Sequence, residues 1–204
     1  MIARKVIFAS GNQGKIRELE DLLAPLGFIV EPQGLHGVES VEETADTFVE
    51  NALLKASHAC RQTGLPAMAD DSGLEVDALG GAPGLYSARY AERHNAGQGD
   101  VANYEYLLSE LNHLPEDHQR RARFRSVLVF LRHAHDPAPL IAQGIWEGHI
   151  LREPQGVGGF GYDPVFCNHD THRAAALLDK STKNSLSHRG KAIAQLVLMM
   201  KELQ

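Results

Sequence analysis

The chain has 204 residues, 43% of them apolar and 23% charged, with a formal net charge of −6. That length and balance suit one sizeable core, so a single domain over 1–204 is expected, and a disordered or fibrous chain is excluded. The acidic sign, with no basic block longer than Arg120-Arg121, speaks against a nucleic-acid or anionic-membrane surface.

Met1-Ile2-Ala3-Arg4-Lys5 leads into a strand without the apolar core of a signal peptide, and no apolar run approaches a membrane span, which gives a cytoplasmic expectation. Cys60 and Cys167 stand far apart without ligand spacing, so neither a disulfide framework nor a zinc site is indicated. Lys5 to Ala9 reads as a short apolar strand. Ser10-Gly11-Asn12-Gln13-Gly14-Lys15 follows, then a helix with Ile16, Leu19, Leu22 and Leu23 at helical spacing, ending before Pro25 and Gly27. A strand, glycine loop and helix start aim backbone N–H groups and the positive helix end at one spot, where an anion is stabilised. The loop is not a P-loop, which needs four residues between its glycines and Ser or Thr after the lysine; an ordinary turn with a solvated Lys15 stays open.

Phe28 to Val30 reads as a second strand, and the segment to Ser40 as irregular. A helix is expected over Phe48 to Thr63, with Asp46 or Thr47 as N-cap and Gly64-Leu65-Pro66 as the stop. Its buried stripe is Phe48, Ala52, Ala56 and Ala59, and Lys55 falls inside it. That lysine either snorkels to the rim or reaches an anion or acid cluster. Glu42 and Glu43 ahead of the helix read equally as dipole-stabilising acids or metal ligands.

Leu65-Pro66-Ala67-Met68-Ala69 reads as a strand whose end delivers Asp70-Asp71-Ser72-Gly73, before a second alternating run, Leu74, Val76 and Ala78. Adjacent carboxylates repel and call for a cation, most simply a divalent metal, although Asp-Asp-Ser-Gly is also ordinary turn chemistry. A glycine turn at Gly80-Gly81 and an aromatic segment to Tyr90 follow. The next loop, His94 to Gly99, precedes a helix capped by Asp100, with Tyr104, Leu107, Leu108 and Leu111 inward and Pro115 beyond. Arg121 to Arg132 is a long strand, basic on one face at one end and buried on both faces at the other. Its arginine row reads as a solvated face or subunit contact. After a turn at His133 to Pro137, Leu140 to Leu151 returns as a strand. Gly156 to Phe166 puts glycines around Phe160, a pattern for stacking on a flat ligand or for a glycine-rich turn with core aromatics. Lys180 to Lys191 reads as a basic, hydroxyl-rich loop meeting a last helix with Ala192, Ile193, Leu196, Val197 and Met200.

The motifs Ser10 to Lys15, Glu42-Glu43-Thr44, Glu50-Asn51-Ala52 with Lys55-Ala56, Ala69 to Leu74, Gly80 to Gly84, Phe160 to Pro164 and Ser187-His188-Arg189 resemble, in order, those of the Ham1 family of inosine/xanthosine triphosphate pyrophosphatases. The match covers essentially the whole chain; only 91–100 and 169–175 carry no recognisable pattern. The resemblance implies an α/β fold with a long mixed twisted sheet, flanking helices and two lobes around a central cleft, as a homodimer. It implies Mg²⁺-dependent hydrolysis of ITP, dITP and XTP to monophosphate and pyrophosphate. By the same resemblance Asp71 is the catalytic acid, accepting a proton and ligating Mg²⁺ with Glu42. Ser10, Gly11, Asn12, Gln13, Gly14, Lys15, Lys55, Ser72 and Lys183 match nucleotide- or phosphate-binding positions. Phe160, Gly161, Tyr162, Asp163, His188 and Arg189 match those around the base.

Overall fold

The computed structural model describes residues 4–202, without the side chain of Glu18; Met1 to Ala3, the expected lead-in, lie outside them. Six strands form one sheet in the order β2-β1-β3-β4-β5-β6. Strand β1 (Arg4–Phe8) runs parallel to β2 (Phe28–Pro32) and to β3 (Ala67–Val76), whereas β5 (Leu140–Ile150) and β6 (Phe166–Asn168) are antiparallel, so the sheet is mixed. The long strand β4 (Arg121–Leu131) lies between β3 and β5. The chain divides into two compact units: Met1–Asp71, Ser126–Gln143 and Lys191–Gln204 in the first, and Ser72–Arg125 and Gly144–Gly190 in the second.

In the first unit the helices are placed by their apolar stripes. Helix α1 (Gln13–Leu23) buries Ile16, Leu19 and Leu23, whereas Leu22, expected inward, is 47% exposed because it sits one 100° step off that stripe. Helix α2 (Phe48–Thr63) has the expected bounds; Thr47 is its N-cap, accepting from the Glu50 N–H at 3.2 Å, and Gly64 ends it in the left-handed conformation. Its buried face is Ala52, Ala56 and Ala59, with Phe48 only half-buried in the first turn. One cluster joins Met68 to α1 and to α6 (His188–Lys201), and another joins Ala67 and Ala69 to α2. Alternation along β3 therefore points even-numbered residues at α1 and odd-numbered ones at α2.

The second unit packs Leu74, Val76, Phe124, Trp146, Tyr162 and Phe166 together. Helix α3 (Tyr90–Arg93) follows the expected aromatic segment just ahead of the loop at His94, and α4 (Gly99–Glu110) starts two residues early, with Asp100 in its first turn rather than as its cap. Helix α4 adds Leu107 to this core, and Leu111 just beyond it packs there too; Tyr104 and Leu108 are half-buried. Strand β6 was not expected, nor was α5 (Lys180–Leu186), which stands where a loop was read. Asp179 caps α5 by accepting from the Thr182 N–H at 2.9 Å.

Candidate active site

Asp70 and Asp71 do not sit at a strand end. They lie within the ten residues of β3, on opposite faces, and each has its own lysine. On the α1 face, the Lys15 ammonium is 2.6 Å from Asp70, which is 3% exposed. On the α2 face, Lys55 donates to Glu43 at 2.6 Å and to Asp71 at 3.1 Å. Lys55 thus reaches an acid cluster from inside the apolar stripe, the second of the two alternatives its position allowed. Glu42 is exposed; Glu43, not Glu42, is the acid that shares this lysine with Asp71.

Burial raises the Asp71 carboxyl above its ordinary range, and the charges of Glu43 and Asp70 add to that, against the lowering effect of Lys55. Lys55 is itself raised, because Asp71, Asp70 and Glu43 together outweigh the cost of burying its ammonium. Lys15 and Lys55 face the carboxylates of Asp70, Asp71 and Glu43 in this cluster. Among the described residues no three acidic, histidine or cysteine side chains form a closed metal cage. Carboxylate oxygens suit Mg²⁺, which characteristically takes one or two of them and completes its shell with water and substrate phosphates.

The glycine loop ahead of α1 is ordered by its own side chains. Asn12 N–H donates to Ser10 Oγ at 3.2 Å, and Asn12 Oδ1 accepts from the N–H groups of Gly14 (2.9 Å) and Lys15 (3.2 Å). The cap takes up two of the first-turn donors that an anion at this helix start would use. Gly11, Asn12, Gln13 and Gly14 are exposed, and Ser10 is half-exposed.

In the second unit, Phe160 is 53% exposed, with the Lys183 ammonium 4.9 Å and the Arg189 guanidinium 5.5 Å from its ring centre. The buried Asp163 carboxylate holds this loop together: it accepts from the Phe160 N–H at 2.8 Å and pairs with Lys183. A side chain at Gly159 would meet that carboxylate at 2.0 Å, and its φ of 78° is strained for any other residue. Tyr162 is a core residue: 4% exposed, its hydroxyl donates to the Ser87 carbonyl at 2.8 Å, and burial pushes the phenol far up. His188 is buried too, stacked on Phe124 with centroids 4.8 Å apart. Ser72 is half-buried on β3. Sequence reasoning missed Glu43 as the partner of Lys55 and Asp100 as a contact of the aromatic loop: the Gly161 N–H donates to Asp100 Oδ2 at 2.7 Å. Nothing in the sequence spacing signals a bond between residues so far apart in the chain.

The Ham1 family model matches residues 6–199. The chain is 54% identical to a dITP/XTP pyrophosphatase of Shigella flexneri over 194 residues, 95% of this chain and 96% of that one. It is 52% identical to a protein of the same name from Vibrio cholerae serotype O1 over 199 residues, 98% of each chain. Among solved structures, it is similar to a HAM1 protein from Coxiella burnetii, with a TM-score of 0.91 at 45% identity over 98% of this chain and 99% of that chain. It is also similar to the Staphylococcus aureus Ham1 protein, with a TM-score of 0.87 at 37% identity over 98% and 100%.

Proposed function

The chain belongs to the Ham1 family, and from that membership we propose that it hydrolyses ITP, dITP and XTP to the nucleoside monophosphate and pyrophosphate, keeping non-canonical purines out of DNA and RNA. The observation that carries the reading is the cluster of Lys15, Lys55, Glu43, Asp70 and Asp71. A triphosphate needs fixed cations on its oxygens, and hydrolysis needs a base held close to them. Lys15 and Lys55 supply the cations. Asp71, its carboxyl raised by burial yet kept charged by Lys55, is the proton acceptor for the attacking water. Mg²⁺ is the proposed cofactor, held by Asp71 with Glu42 or Glu43; when bound it neutralises phosphate charge and acidifies water. Phosphate oxygens arriving at Lys55 would take over part of its hydrogen bonding and release carboxylate oxygens for these tasks.

The second unit carries the groups suited to the purine. Phe160 offers an exposed ring face, and Arg189 beside it a donor to the C6 carbonyl that hypoxanthine and xanthine share. Adenine presents an amino group there, donor against donor, which such a site rejects by as much as ~10⁴ in kcat/KM. We also propose that the protein is a homodimer.

The deciding experiment is product identification from ITP and ATP with and without Mg²⁺. IMP and pyrophosphate as first products, dependent on the metal, with ATP turned over at least ~10²-fold less efficiently, is the expected outcome. IDP and orthophosphate would instead make it a stepwise phosphatase, and binding without turnover a nucleotide sensor.

A further inference from the structure

From Gly156 to Phe160 the loop is exposed, Val157 fully and Phe160 to 53%, whereas Tyr162 and Asp163 behind it are buried. What orders it is a small set of polar ties. Asp163 draws back the Phe160 N–H from inside the loop, and its own carbonyl accepts from the Ala176 N–H at 3.1 Å. Tyr162 anchors below through Ser87. A further tie, beside the Asp163–Lys183 pair, reaches across 61 residues of sequence, where Asp100, in the first turn of α4, accepts from the Gly161 N–H at 2.7 Å.

This last bond differs from the others in its chemistry and in its place. It is charge-assisted, so it is shorter and stronger than a bond between neutral groups. The carboxylate sits in the first turn of α4, at the positive end of the helix dipole, where a negative charge is well placed. It holds the peptide unit directly after Phe160, the residue whose backbone sets the direction of the ring. Its donor glycine has a φ of 60°, a conformation this N–H bond helps to fix. Asp163 and Asp100 therefore grip the N–H groups of consecutive residues, Phe160 and Gly161, from two sides. The apparently patternless stretch 91–100 ends in the residue that completes this grip.

We infer that Asp100 is a positioning residue for substrate recognition: it fixes the Phe160-Gly161 peptide and so presents the Phe160 ring to the purine. The inference rests on the assignment of Phe160 to base binding. Asp100 is exposed, so its removal leaves the core untouched. The cost falls on the ordering of the loop before each binding event, and hence on KM rather than on the chemical step.

The test pairs amide exchange with kinetics in Asp100→Ala and Asp100→Asn. In the substrate-free protein, the peptide spanning 156–163 should exchange at least ~10-fold faster in Asp100→Ala, with melting within ~2 °C of the parent. Asp100→Asn keeps an acceptor oxygen and should recover most of the protection. On ITP, Asp100→Ala should raise KM roughly tenfold, the loss of one charge-assisted bond, with kcat changed less than ~2-fold. Unchanged exchange in Asp100→Ala overturns the positioning role, and so does faster exchange with an unaltered KM for ITP. A parent protein that leaves ITP intact would instead sink the functional assignment, while the exchange result would still report on the tie itself.

Discussion

At Asp71 two effects oppose each other: burial favours the neutral acid, and the Lys55 ammonium 3.1 Å away favours the carboxylate. Burial is the larger, so the folded pKa lies above that of an unfolded Asp near 4. A group raised in this way stabilises the fold fully below its unfolded pKa and loses that contribution as pH rises through the folded value. At neutral pH the charged Asp71 is therefore a cost to stability retained for function. Asp71→Asn should lose turnover by ~10² or more, since an amide cannot take the proton. It should nevertheless melt no lower than the parent at pH 7, and any advantage should shrink as pH falls toward 4. Melting several degrees below the parent at pH 7 would show that the ion pair with Lys55 outweighs burial. The acid limb of the parent's activity should likewise lie above the ordinary aspartate range. The sequence made the pair of acids and their mutual repulsion visible, and Asp70 does push Asp71 up, but it did not show the lysines that answer them. Once β3 runs unbroken, its period of two sends Asp70 and Asp71 to opposite faces, and each meets a lysine from a different helix.

Elements with long apolar periodicity were legible: α2 has the predicted bounds, and β4 and β5 differ by one residue. What escaped was short or polar. Helix α5 is seven residues rich in Ser, Thr and Asn, held by the Asp179 cap rather than by an apolar stripe, and β6 is three residues that exist only by pairing with β5. Arg120 escaped for a related reason, since in the sequence it is only half of the basic pair Arg120-Arg121. It is 2% exposed and donates to the carbonyls of Ile150 (2.7 Å), Leu111 (2.6 Å), Leu114 (3.3 Å) and Leu151 (2.7 Å). One guanidinium thereby ties the segment after α4 to the end of β5 where no regular pairing could. Arg120→Met fills similar space but leaves these carbonyls unmet, and should cost on the order of 3 kcal/mol in urea unfolding. Lysine should not rescue it, because a single ammonium lacks the fork that serves carbonyls on two sides. A loss within ~0.5 kcal/mol of zero would mean that water replaces the guanidinium there.

Over the whole molecule, the net charge of −6 hides a local order on the sheet. In the second unit, one face of β3, β4 and β5 carries the core, with Leu74, Phe124 and Trp146. The other face carries charge in columns: Glu75 on β3 with Asp77 just past its end, then Arg123 and Arg125 on β4, then Glu147 on β5. Arg125 meets Glu75 at 3.1 Å, and Arg123 meets Asp77 at 2.9 Å and Glu147 at 3.3 Å. These side chains are neither core nor freely solvated: Arg123 is 26% and Arg125 28% exposed, and Ile145 lies exposed among them. Arginine and planar ion pairs beside an exposed aliphatic residue suit a polar interface. Acidic columns flanking a basic one also make the face complementary to itself, since a copy shifted by one strand sets arginines against carboxylates. We propose this face as the one through which the proposed homodimer pairs. Light scattering should give roughly twice the 22.3 kDa of one chain. Reversing Arg123 and Arg125 together to Glu would set acid against acid within each copy as well as between copies, so the sharper probe is Ile145→Arg, which adds charge and leaves Arg123 and Arg125 with their carboxylates. That variant should fall to the mass of a single chain while melting within ~2 °C of the parent at low protein concentration. A parent that is monomeric, or an Ile145→Arg variant that stays dimeric, would remove this face as the interface.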